Sequence, residues 1–335
     1  MTMPMKQKIA VAKYIAGKKL KGESKYPLVL ELEPLLQCNL ACAGCGKIQH
    51  PAQTLRRRLS VEECLAAVEE CGAPMVSIAG GEPLVHEQMP QIVSELVARG
   101  KFVFLCTNAL LLQKKIDLFQ PSVYFAWMIH LDGLRERHDA SVCRAGVFDK
   151  AVAAIRIAKS RGFRVFTNTT FFDTDDAESI RDVLDYLNDE LQVDMMQISP
   201  AYAYQKAPDQ EHFLGVKRTR EIFRAAFAGG KRKRWRLNHS PLYLDFLEGK
   251  IDFECTPWGI PCYTVFGWQR PCYLMSDDGY AKTYAELLEQ TDWSKYGRGK
   301  HPNCENCMAH CGYEPTAVLA TTASVKESVR AAVGH

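Results

Sequence analysis

The segment Gln37-Cys38-Asn39-Leu40-Ala41-Cys42-Ala43-Gly44-Cys45-Gly46-Lys47 decides how the rest of this chain is interpreted. It holds three cysteines in a C-x3-C-x2-C spacing, directly after a predicted β-strand over 28–35. Barrel folds place their functional sites in the loops at the carboxyl ends of the strands. Cys38, Cys42 and Cys45 are therefore the first candidate ligands of a metal centre.

Three thiolates can hold three corners of a [4Fe–4S] cube, whereas an electron-transfer cluster usually takes four. The fourth iron then keeps an open position, to which a small molecule can bind. A zinc site and chance proximity are the alternatives. Structural zinc usually has four ligands, often in CxxC pairs, and no obvious fourth partner follows this segment. The spacing therefore favours the cluster.

The composition is that of a folded globular protein, with 47% apolar and 24% charged residues among 335. The longest uncharged apolar stretch, at about 119–131, is shorter than the roughly 18–20 residues of a membrane span. No signal peptide is recognisable, so the thirteen cysteines indicate a reducing compartment rather than a disulfide scaffold. We expect a cytoplasmic protein. The net charge of +3 is too small to indicate a nucleic-acid partner.

Strand and helix patterns alternate along the first two thirds of the chain, which is typical of βαβ units with a parallel sheet. Six units are too few for a closed eight-stranded barrel, so we expect an α/β fold with a partial, open barrel. The predicted strands are 28–35, 75–80, 101–108, 123–132, 164–171 and 193–199. The predicted helices are 60–71, 88–99, 110–119, 148–161 and 177–191. The predicted organisation is a basic arm (1–26), the barrel (27–236), a cysteine-rich, loop-rich extension (237–316) and a tail (317–335).

The cysteine spacing at this position resembles that of the radical S-adenosylmethionine (SAM) superfamily, over about residues 28–202. The resemblance implies a partial (β/α)6 TIM-type barrel in which Cys38, Cys42 and Cys45 bind a [4Fe–4S] cluster. It implies that the methionine part of SAM binds the open iron, and that one electron from the reduced cluster releases a 5′-deoxyadenosyl radical. Low-potential clusters reach about −400 mV, so an electron donor such as flavodoxin or ferredoxin is implied.

Further motifs at strand ends match the superfamily's SAM contacts. Glycines permit close approach of a ligand to the backbone, and a carboxylate can accept hydrogen bonds from an ammonium group. The resemblance assigns Gly80-Gly81-Glu82-Pro83 to the SAM amino group. The other implied SAM contacts are Asn108, His130, Asp132 and Arg144, with Arg144 pairing with the methionyl carboxylate. Structural roles for His130 and Asp132 are equally compatible with the sequence. The simpler interpretation of His138-Asp139 is local capping of a turn.

The alternation of side chains along a strand predicts where the Cys106 side chain lies. Side chains alternate between the two faces of a strand, so Cys106 and Asn108 point the same way, with Cys106 one layer deeper in the barrel. A buried thiol is often inert packing. Because an S–H bond is weaker than a C–H bond, Cys106 is also a candidate catalytic residue that donates a hydrogen atom to a carbon radical.

A closer likeness covers nearly the whole chain. The strings LEPLLQCNLACAGCGKI, SIAGGEPLVH, FLCTNALLL and CENCMAHCGYEP resemble the adenosylhopane synthase family of hopanoid biosynthesis. The implied reaction adds the 5′-deoxyadenosyl radical to the terminal alkene of diploptene, a C30 triterpene, and consumes SAM as a co-substrate. A hydrocarbon requires an apolar cavity. Candidate lining residues are Phe104, Trp127, Met128, Phe166, Met195, Met196, Tyr202, Tyr204, Trp258, Phe266 and Trp268.

Two segments of the chain are rich in lysine and arginine and are candidates for binding a partner. The amino-terminal arm carries seven lysines in its first 25 residues, and a solvated face is its simplest interpretation. The alternative is peripheral binding to an anionic membrane at the inner face, worth roughly 1 kcal/mol per basic residue; a substrate dissolved in the membrane favours this alternative. The second segment, KRKRWR at 231–236, marks the exit from the barrel.

The carboxy-terminal cysteines raise a separate question. Cys304, Cys307 and Cys311 lie close in sequence, and Cys272, Cys262 or Cys255 could complete the set. CxxC beside another cysteine is a metal-binding signal. We expect a second [4Fe–4S] cluster or zinc there, held by Cys272, Cys304, Cys307 and Cys311, with packing thiols as the alternative.

Two other functions remain open at this point. The first keeps the radical SAM barrel but acts on a peptide or another substrate, with an auxiliary cluster in the extension. The second is a non-enzymatic metal-binding module that contacts RNA through KRKRWR; it leaves the barrel and the Gly80-Gly81-Glu82-Pro83 motif unexplained.

Overall fold

A computed structural model describes residues 4–202, 204–275 and 278–322. Six parallel strands lie side by side in chain order and form an unclosed barrel sheet, as the sequence predicts. The predicted strands differ from these by at most two residues at either end. Among the described residues, no helix is long and apolar enough to cross a membrane. The strands are β1 (Val29–Glu33), β2 (Met75–Ile78), β3 (Phe102–Thr107), β4 (Phe125–His130), β5 (Arg164–Phe171) and β6 (Met195–Pro200).

Helices follow the strands and cover the outer face of the sheet. The helix that follows Ser60 begins with a capping box: the Ser60 hydroxyl accepts from the Glu63 N–H at 3.2 Å, and Gly72 ends the helix in the left-handed conformation. The predicted helix 177–191 is α-helical only to Asp185 and continues as a π-helical turn. The α-helices are α1 (Met5–Leu20), α2 (Ala52–Leu55), α3 (Val61–Cys71), α4 (Met89–Ala98), α5 (Leu112–Lys115), α6 (Arg135–Ser141), α7 (Val147–Ser160), α8 (Ala177–Asp185), α9 (Val216–Ala226), α10 (Pro241–Leu247), α11 (Tyr284–Gln290) and α12 (His310–Thr321).

The two faces of the sheet have different cores. The outer core, between strands and helices, is large and contains alternate strand residues such as Val103 and Leu105. A smaller inner layer fills the base of the barrel. It consists of Phe104, Ala126, Met128, Phe166 and Met195, with Met75 and Cys106 packed against it. Trp127 and Met196 belong to the outer core, so their prediction as inner residues is wrong, because strand parity turns them outward.

Helix α1 packs against the end of the barrel where the strands begin. Its residue Ile15 is buried with Tyr26 and Leu28, and the Gln7 side chain donates to the Met75 sulfur at 3.4 Å. The basic arm is therefore an integral helix, and one of its faces stabilises the base of the barrel.

The carboxy-terminal extension continues the barrel sheet instead of forming a separate layer. Strand β7 (Cys262–Thr264) pairs in parallel with β1, and β8 (Gly267–Gln269) and β9 (Tyr280–Ala281) add antiparallel strands beyond it. Trp268 is fully buried, and its indole N–H donates to Glu70 at 3.0 Å. This hydrogen bond and the burial of Trp268 stabilise the packing of the extension against α3.

One predicted boundary in this region needs correction. The tail does not begin at 317, because α12 runs to Thr321 with Ala317 buried; the rest of the predicted tail, 323–335, lies outside the described residues. Two arginines of the KRKRWR segment, which one alternative assigned to RNA contact, pair with acidic groups of the protein itself. Arg232 pairs with Asp245 at 2.7 Å and with Glu248 at 2.6 Å.

Candidate active site

The cysteine loop follows β1 and rests on the segment that contains α6. Leu40 is buried against Val142 and Val147. The Ala43 N–H donates to the Ser141 carbonyl at 3.3 Å. Apolar packing and a backbone hydrogen bond thus hold the loop over the carboxyl ends of the strands, where barrel folds place their sites.

The three thiols of this loop lie close enough to influence one another. Burial raises the pKa of Cys38 to about 11 and also raises the pKa of Cys42 and Cys45. The neighbouring thiols raise the pKa of Cys42 further. Thiolates at these positions therefore need a cation beside them. Three soft sulfur donors in a half-buried loop fit an iron–sulfur cluster.

The arrangement differs from that of a single-ion site. Among the described residues, no three or more Cys, His, Asp or Glu side chains are placed to hold one metal ion. The ligands of an iron–sulfur cube need not converge in this way, because each thiolate binds a different iron.

Gly80 and Gly81 have a role that the sequence did not reveal. A Cβ atom on Gly80 would lie 2.2 Å from the Leu35 carbonyl oxygen, and one on Gly81 would lie 2.1 Å from the Gln37 carbonyl oxygen. The Gly81 N–H donates to Leu35 O at 3.0 Å, and the Glu82 N–H donates to Gln37 O at 2.9 Å. The glycines thus permit close contact between the end of β2 and the start of the cysteine loop.

The Glu82 carboxylate connects β2 to β3. It is 1% exposed and accepts hydrogen bonds from the Thr107 hydroxyl, the Asn108 N–H and the Leu84 N–H, each at 2.8–3.0 Å. Burial raises its pKa, although these bonds act in the opposite direction. Most of its acceptor capacity is therefore used within the protein. Direct binding of the SAM amino group by Gly80, Gly81 and Glu82 stays a prediction.

Asn108 contacts the cysteine loop. Its side-chain amide donates to Asn39 Oδ1 at 2.7 Å and lies 3.7 Å from the Cys38 sulfur. Its Oδ1 accepts from the Leu110 N–H at 3.1 Å. The amide therefore positions the first cysteine of the loop.

His130 and Asp132 form a pair at the end of β4. His130 Nε2 lies 2.8 Å from Asp132 Oδ2, and Asp132 also accepts from the Ser141 hydroxyl and the Thr170 N–H. Burial alone would lower the pKa of His130, but the Asp132 carboxylate outweighs it and the net shift is upward. Asp132 is buried and acts as a structural anchor, whereas His130 is half-buried.

The segment after this pair contains the other predicted contacts. His138 Nδ1 accepts from the Asp132 N–H at 3.1 Å, and Asp139 accepts from the Gly146 and Phe148 N–H groups. Local hydrogen bonding thus accounts for His138 and Asp139, as expected. Arg144 is exposed in the turn between α6 and α7; its pairing with the methionyl carboxylate stays a prediction.

Cys106 lies inside the barrel, as parity predicts. It packs against the inner apolar layer, and its sulfur lies 3.6 Å from the Ser77 hydroxyl. Burial raises the pKa of this thiol, so it carries its hydrogen at neutral pH.

A buried ion pair beside the cysteine loop was missed from the sequence. Lys47 Nζ lies 2.8 Å from Glu33 at the end of β1, and it also donates to the Tyr273 carbonyl at 3.3 Å. Lys47 is 8% exposed and Glu33 is fully buried. The available signal was a pair of acidic residues, Glu31 and Glu33, on one face of an otherwise apolar strand.

The extension brings five cysteines to the lining of one cavity. These cysteines are Cys255, Cys272, Cys304, Cys307 and Cys311. Burial raises the pKa of each; that of Cys272 is about 11 and that of Cys307 about 12. Cys262 lies apart from them, buried in β7 near Glu33 and Lys47.

Comparison with known families agrees with this geometry. Residues 32–187 match the model of the radical SAM superfamily, and residues 196–331 match a domain of unknown function, DUF3463. The barrel of this chain belongs to the radical SAM superfamily. Members of this superfamily use a [4Fe–4S] cluster and SAM, and the chain is a radical SAM enzyme.

Individual relatives and solved structures are also similar to this chain. The chain is 26% identical to GTP 3′,8-cyclase of Clostridium perfringens (strain SM101) over 65% of this chain and 69% of the relative. Its fold is similar to Streptococcus suis SuiB bound to the precursor peptide SuiA, with a TM-score of 0.60, 16% identity, and coverage of 76% of this chain and 62% of SuiB. It is also similar to anSMEcpe with bound AdoMet, with a TM-score of 0.57, 18% identity, and coverage of 78% and 80%. These names give no support to hopanoid synthesis.

Substitution of Gly81 by Ala tests the contact between β2 and the cysteine loop. The new methyl group would meet the Gln37 carbonyl, and overpacking of this kind costs about 1–3 kcal/mol. We expect lower iron content after anaerobic reconstitution and a lower free energy of unfolding. Gly17→Ala is the control, since a Cβ there meets nothing within 4 Å. Equal iron content and stability in Gly81→Ala would contradict this role.

Proposed function

We propose that this radical SAM enzyme adds the 5′-deoxyadenosyl radical to the terminal alkene of diploptene and forms adenosylhopane. The observation that carries this proposal is the apolar inner layer of the barrel, with a single thiol at its edge. A hydrocarbon offers nothing to hydrogen-bond and is selected by shape and apolar contact. The sequence resemblance to adenosylhopane synthases supports the same substrate.

The inner layer suits an apolar reacting group. The rings of Phe104 and Phe166 lie 5.5 Å apart, and Met128 and Met195 complete the surface around them. Methionine side chains adapt to irregular apolar ligands. A carbon radical formed above this layer would have Cys106 as its nearest described source of a weakly held hydrogen.

Each part of the site has a distinct role in this proposal. When bound by Cys38, Cys42 and Cys45, a [4Fe–4S] cluster would supply the electron that cleaves SAM. Gly80, Gly81 and Glu82 would hold the SAM amino group, and Arg144 the methionyl carboxylate. Asn108 and the pair His130–Asp132 would supply the remaining polar contacts. Cys106 would donate a hydrogen atom to the tertiary carbon radical left by the addition.

An anaerobic assay with SAM, a low-potential one-electron donor such as flavodoxin or ferredoxin, and diploptene tests the function. We expect an adenosyl adduct by mass spectrometry, and no SAM cleavage after any of Cys38, Cys42 or Cys45 is replaced by Ala. Cys106→Ala should keep SAM cleavage, because it leaves the cluster loop intact, but should largely abolish the reduced adduct, because the hydrogen-atom donor is missing. Unchanged yield and stereochemistry in Cys106→Ala would remove its role.

A second candidate function is a radical SAM enzyme that acts on a peptide or another substrate, with an auxiliary cluster. The fold similarity to SuiB with its bound precursor peptide, together with the cysteine-lined cavity of the extension, supports this candidate. The same assay separates the two functions. Release of 5′-deoxyadenosine without an adduct to diploptene would favour the second.

The cysteine-lined cavity supports a second [4Fe–4S] cluster held by Cys272, Cys304, Cys307 and Cys311, with Cys255 as a fifth nearby thiol. Four sulfur donors match the usual ligand set of such a cluster. We expect about eight irons per reconstituted chain, falling to about four in the double variant Cys307→Ala/Cys311→Ala. Cys64→Ala, a buried thiol of α3, is the control. About four irons in the wild-type protein would mean one cluster only.

The exposed face of α1 supports peripheral binding to an anionic membrane. Met5, Ile9 and Leu20 are 68%, 47% and 89% exposed. They share this face with Ala12 and Ala16, at helical spacing, and exposed lysines lie on either side. Apolar side chains between lysines are typical of helices that lie on lipid headgroups. The opposite face of α1 is occupied by the barrel, so deletion of the helix would expose the core.

A point variant therefore tests membrane binding better than a deletion. Met5→Ser/Ile9→Ser/Leu20→Ser should reduce co-sedimentation with liposomes of anionic phospholipid about tenfold or more, since each buried apolar side chain contributes roughly 1.5 kcal/mol or more. Added salt should weaken wild-type binding. Leu118→Ser, at an exposed leucine elsewhere, is the control. Undiminished binding by the triple variant would refute this role.

A further inference from the structure

Three neighbouring strands bring Glu31, Ser77 and Cys106 together inside the barrel. Glu31 of β1 is the register partner of Ser77 of β2, and Ser77 is the partner of Phe104 of β3. Cys106 follows Phe104 by two residues and therefore points to the same face. Ser77 lies directly across from Glu31 on the neighbouring strand and lowers the pKa of that carboxyl, and its hydroxyl lies 3.6 Å from the Cys106 sulfur. The three groups form a row from a carboxyl through a hydroxyl to a thiol.

Glu31 is a carboxyl that holds its proton near neutral pH. Burial, and then the Glu33 carboxylate, raise the pKa of Glu31 to about 8, against smaller opposing effects of Ser77 and Lys47. Lys47 is engaged with Glu33, so it offsets the burial of Glu31 only in part. The other titratable groups that interact with Glu31 are Cys106, Cys262, Tyr273 and Cys311.

We propose that Glu31, acting through the Ser77 hydroxyl, returns a proton to Cys106 after each turnover. This inference rests on the proposed function, in which Cys106 quenches the product radical. Glu31 and Ser77 are positioning and proton-transfer residues here, because neither needs to touch the substrate.

The proton returns to Cys106 at the end of a cycle that begins with hydrogen-atom transfer. The substrate carbon radical takes a hydrogen atom from the Cys106 thiol, so a C–H bond forms, the S–H bond breaks, and a thiyl radical remains. The one-electron donor that the enzyme already requires reduces the thiyl radical to a thiolate. The Ser77 hydroxyl gives its proton to the thiolate and takes one from the Glu31 carboxyl. Solvent then reprotonates the Glu31 carboxylate.

The surroundings of Cys106 favour this route. A thiolate in the apolar inner layer is costly, as the raised pKa of this thiol indicates, so it takes a proton from the nearest acid. Glu82 also interacts with Cys106. However, its oxygens accept hydrogen bonds from Thr107, Asn108 and Leu84. Among the residues that the structure describes, Ser77 is the one whose hydroxyl group contacts the Cys106 sulfur.

The experiment compares first-turnover and steady-state adduct formation with diploptene as the substrate. Glu31→Gln and Ser77→Ala should form the first adduct at the wild-type rate but run later turnovers about 100-fold more slowly at pH 7, as expected for loss of a general acid. The double variant should be no slower than either single variant. Glu62→Gln, an exposed carboxyl on α3, is the control.

The pH profile gives a second readout that a merely structural role would not move. Wild-type steady-state turnover should fall as the pH rises through about 8, because Glu31 must be protonated to donate. Glu31→Gln should lose this inflection while keeping its iron content and thermal stability; Ser77→Ala serves if Glu31→Gln does not fold.

The outcomes are distinguishable. Wild-type rates and an unchanged pH profile in both single variants would overturn the proton transfer from Glu31 through Ser77, but not the proposed function. Wild-type enzyme that cleaves SAM but gives no adduct in its first turnover would overturn the proposed function and the proton transfer with it.

Discussion

The site depends on one close backbone contact, in which the end of β2 meets the start of the cysteine loop. Gly80 and Gly81 bring peptide groups so near to Leu35–Gln37 that a Cβ atom would lie about 2 Å from a carbonyl oxygen. Two backbone hydrogen bonds complete the contact. Because Glu82 follows at once and binds the end of β3, three consecutive strands are fixed relative to the three thiols. The loop geometry is therefore set by the barrel and not by the loop alone.

The alternation of side chains along each strand separates residues that pack against the helices from residues that point into the barrel. Residues facing outward, such as Trp127, pack against the helices, whereas those facing inward include the candidate site residues Cys106, Asn108 and His130. On β3 and β4 the inward side chains change from apolar (Phe104 and Met128) to polar (Asn108 and His130) at the carboxyl ends. Cys106 stands at the boundary between these two regions. A radical could thus be formed in the polar region and quenched against the apolar one, within a single barrel.

The sequence predicted the strands to within two residues, because their apolar periodicity is local, and it placed Cys38, Cys42 and Cys45 at the correct end of the barrel. It did not reveal why Gly80 and Gly81 are glycines, because the colliding carbonyls are about 45 residues away in the chain. It also missed the pair Glu33–Lys47. Cys262 could not be separated from the other carboxy-terminal cysteines, since that depends on β7 joining β1.

Lys47 connects the two cysteine-rich regions. It follows Cys45 by two residues, pairs with Glu33 at 2.8 Å, and donates to the carbonyl of Tyr273, a residue that lines the cavity of the extension. Its ammonium group also lies 4.1 Å from the centre of the Tyr273 ring. Loss of one member of a buried ion pair costs about 3–5 kcal/mol, so Glu33 holds the Lys47 side chain firmly in place. The contacts of Lys47 with Tyr273 then join the extension to the cysteine loop. The extension therefore belongs to the architecture of the site, and its cysteine-lined cavity shares Tyr273 with the surroundings of the loop that carries the three thiols.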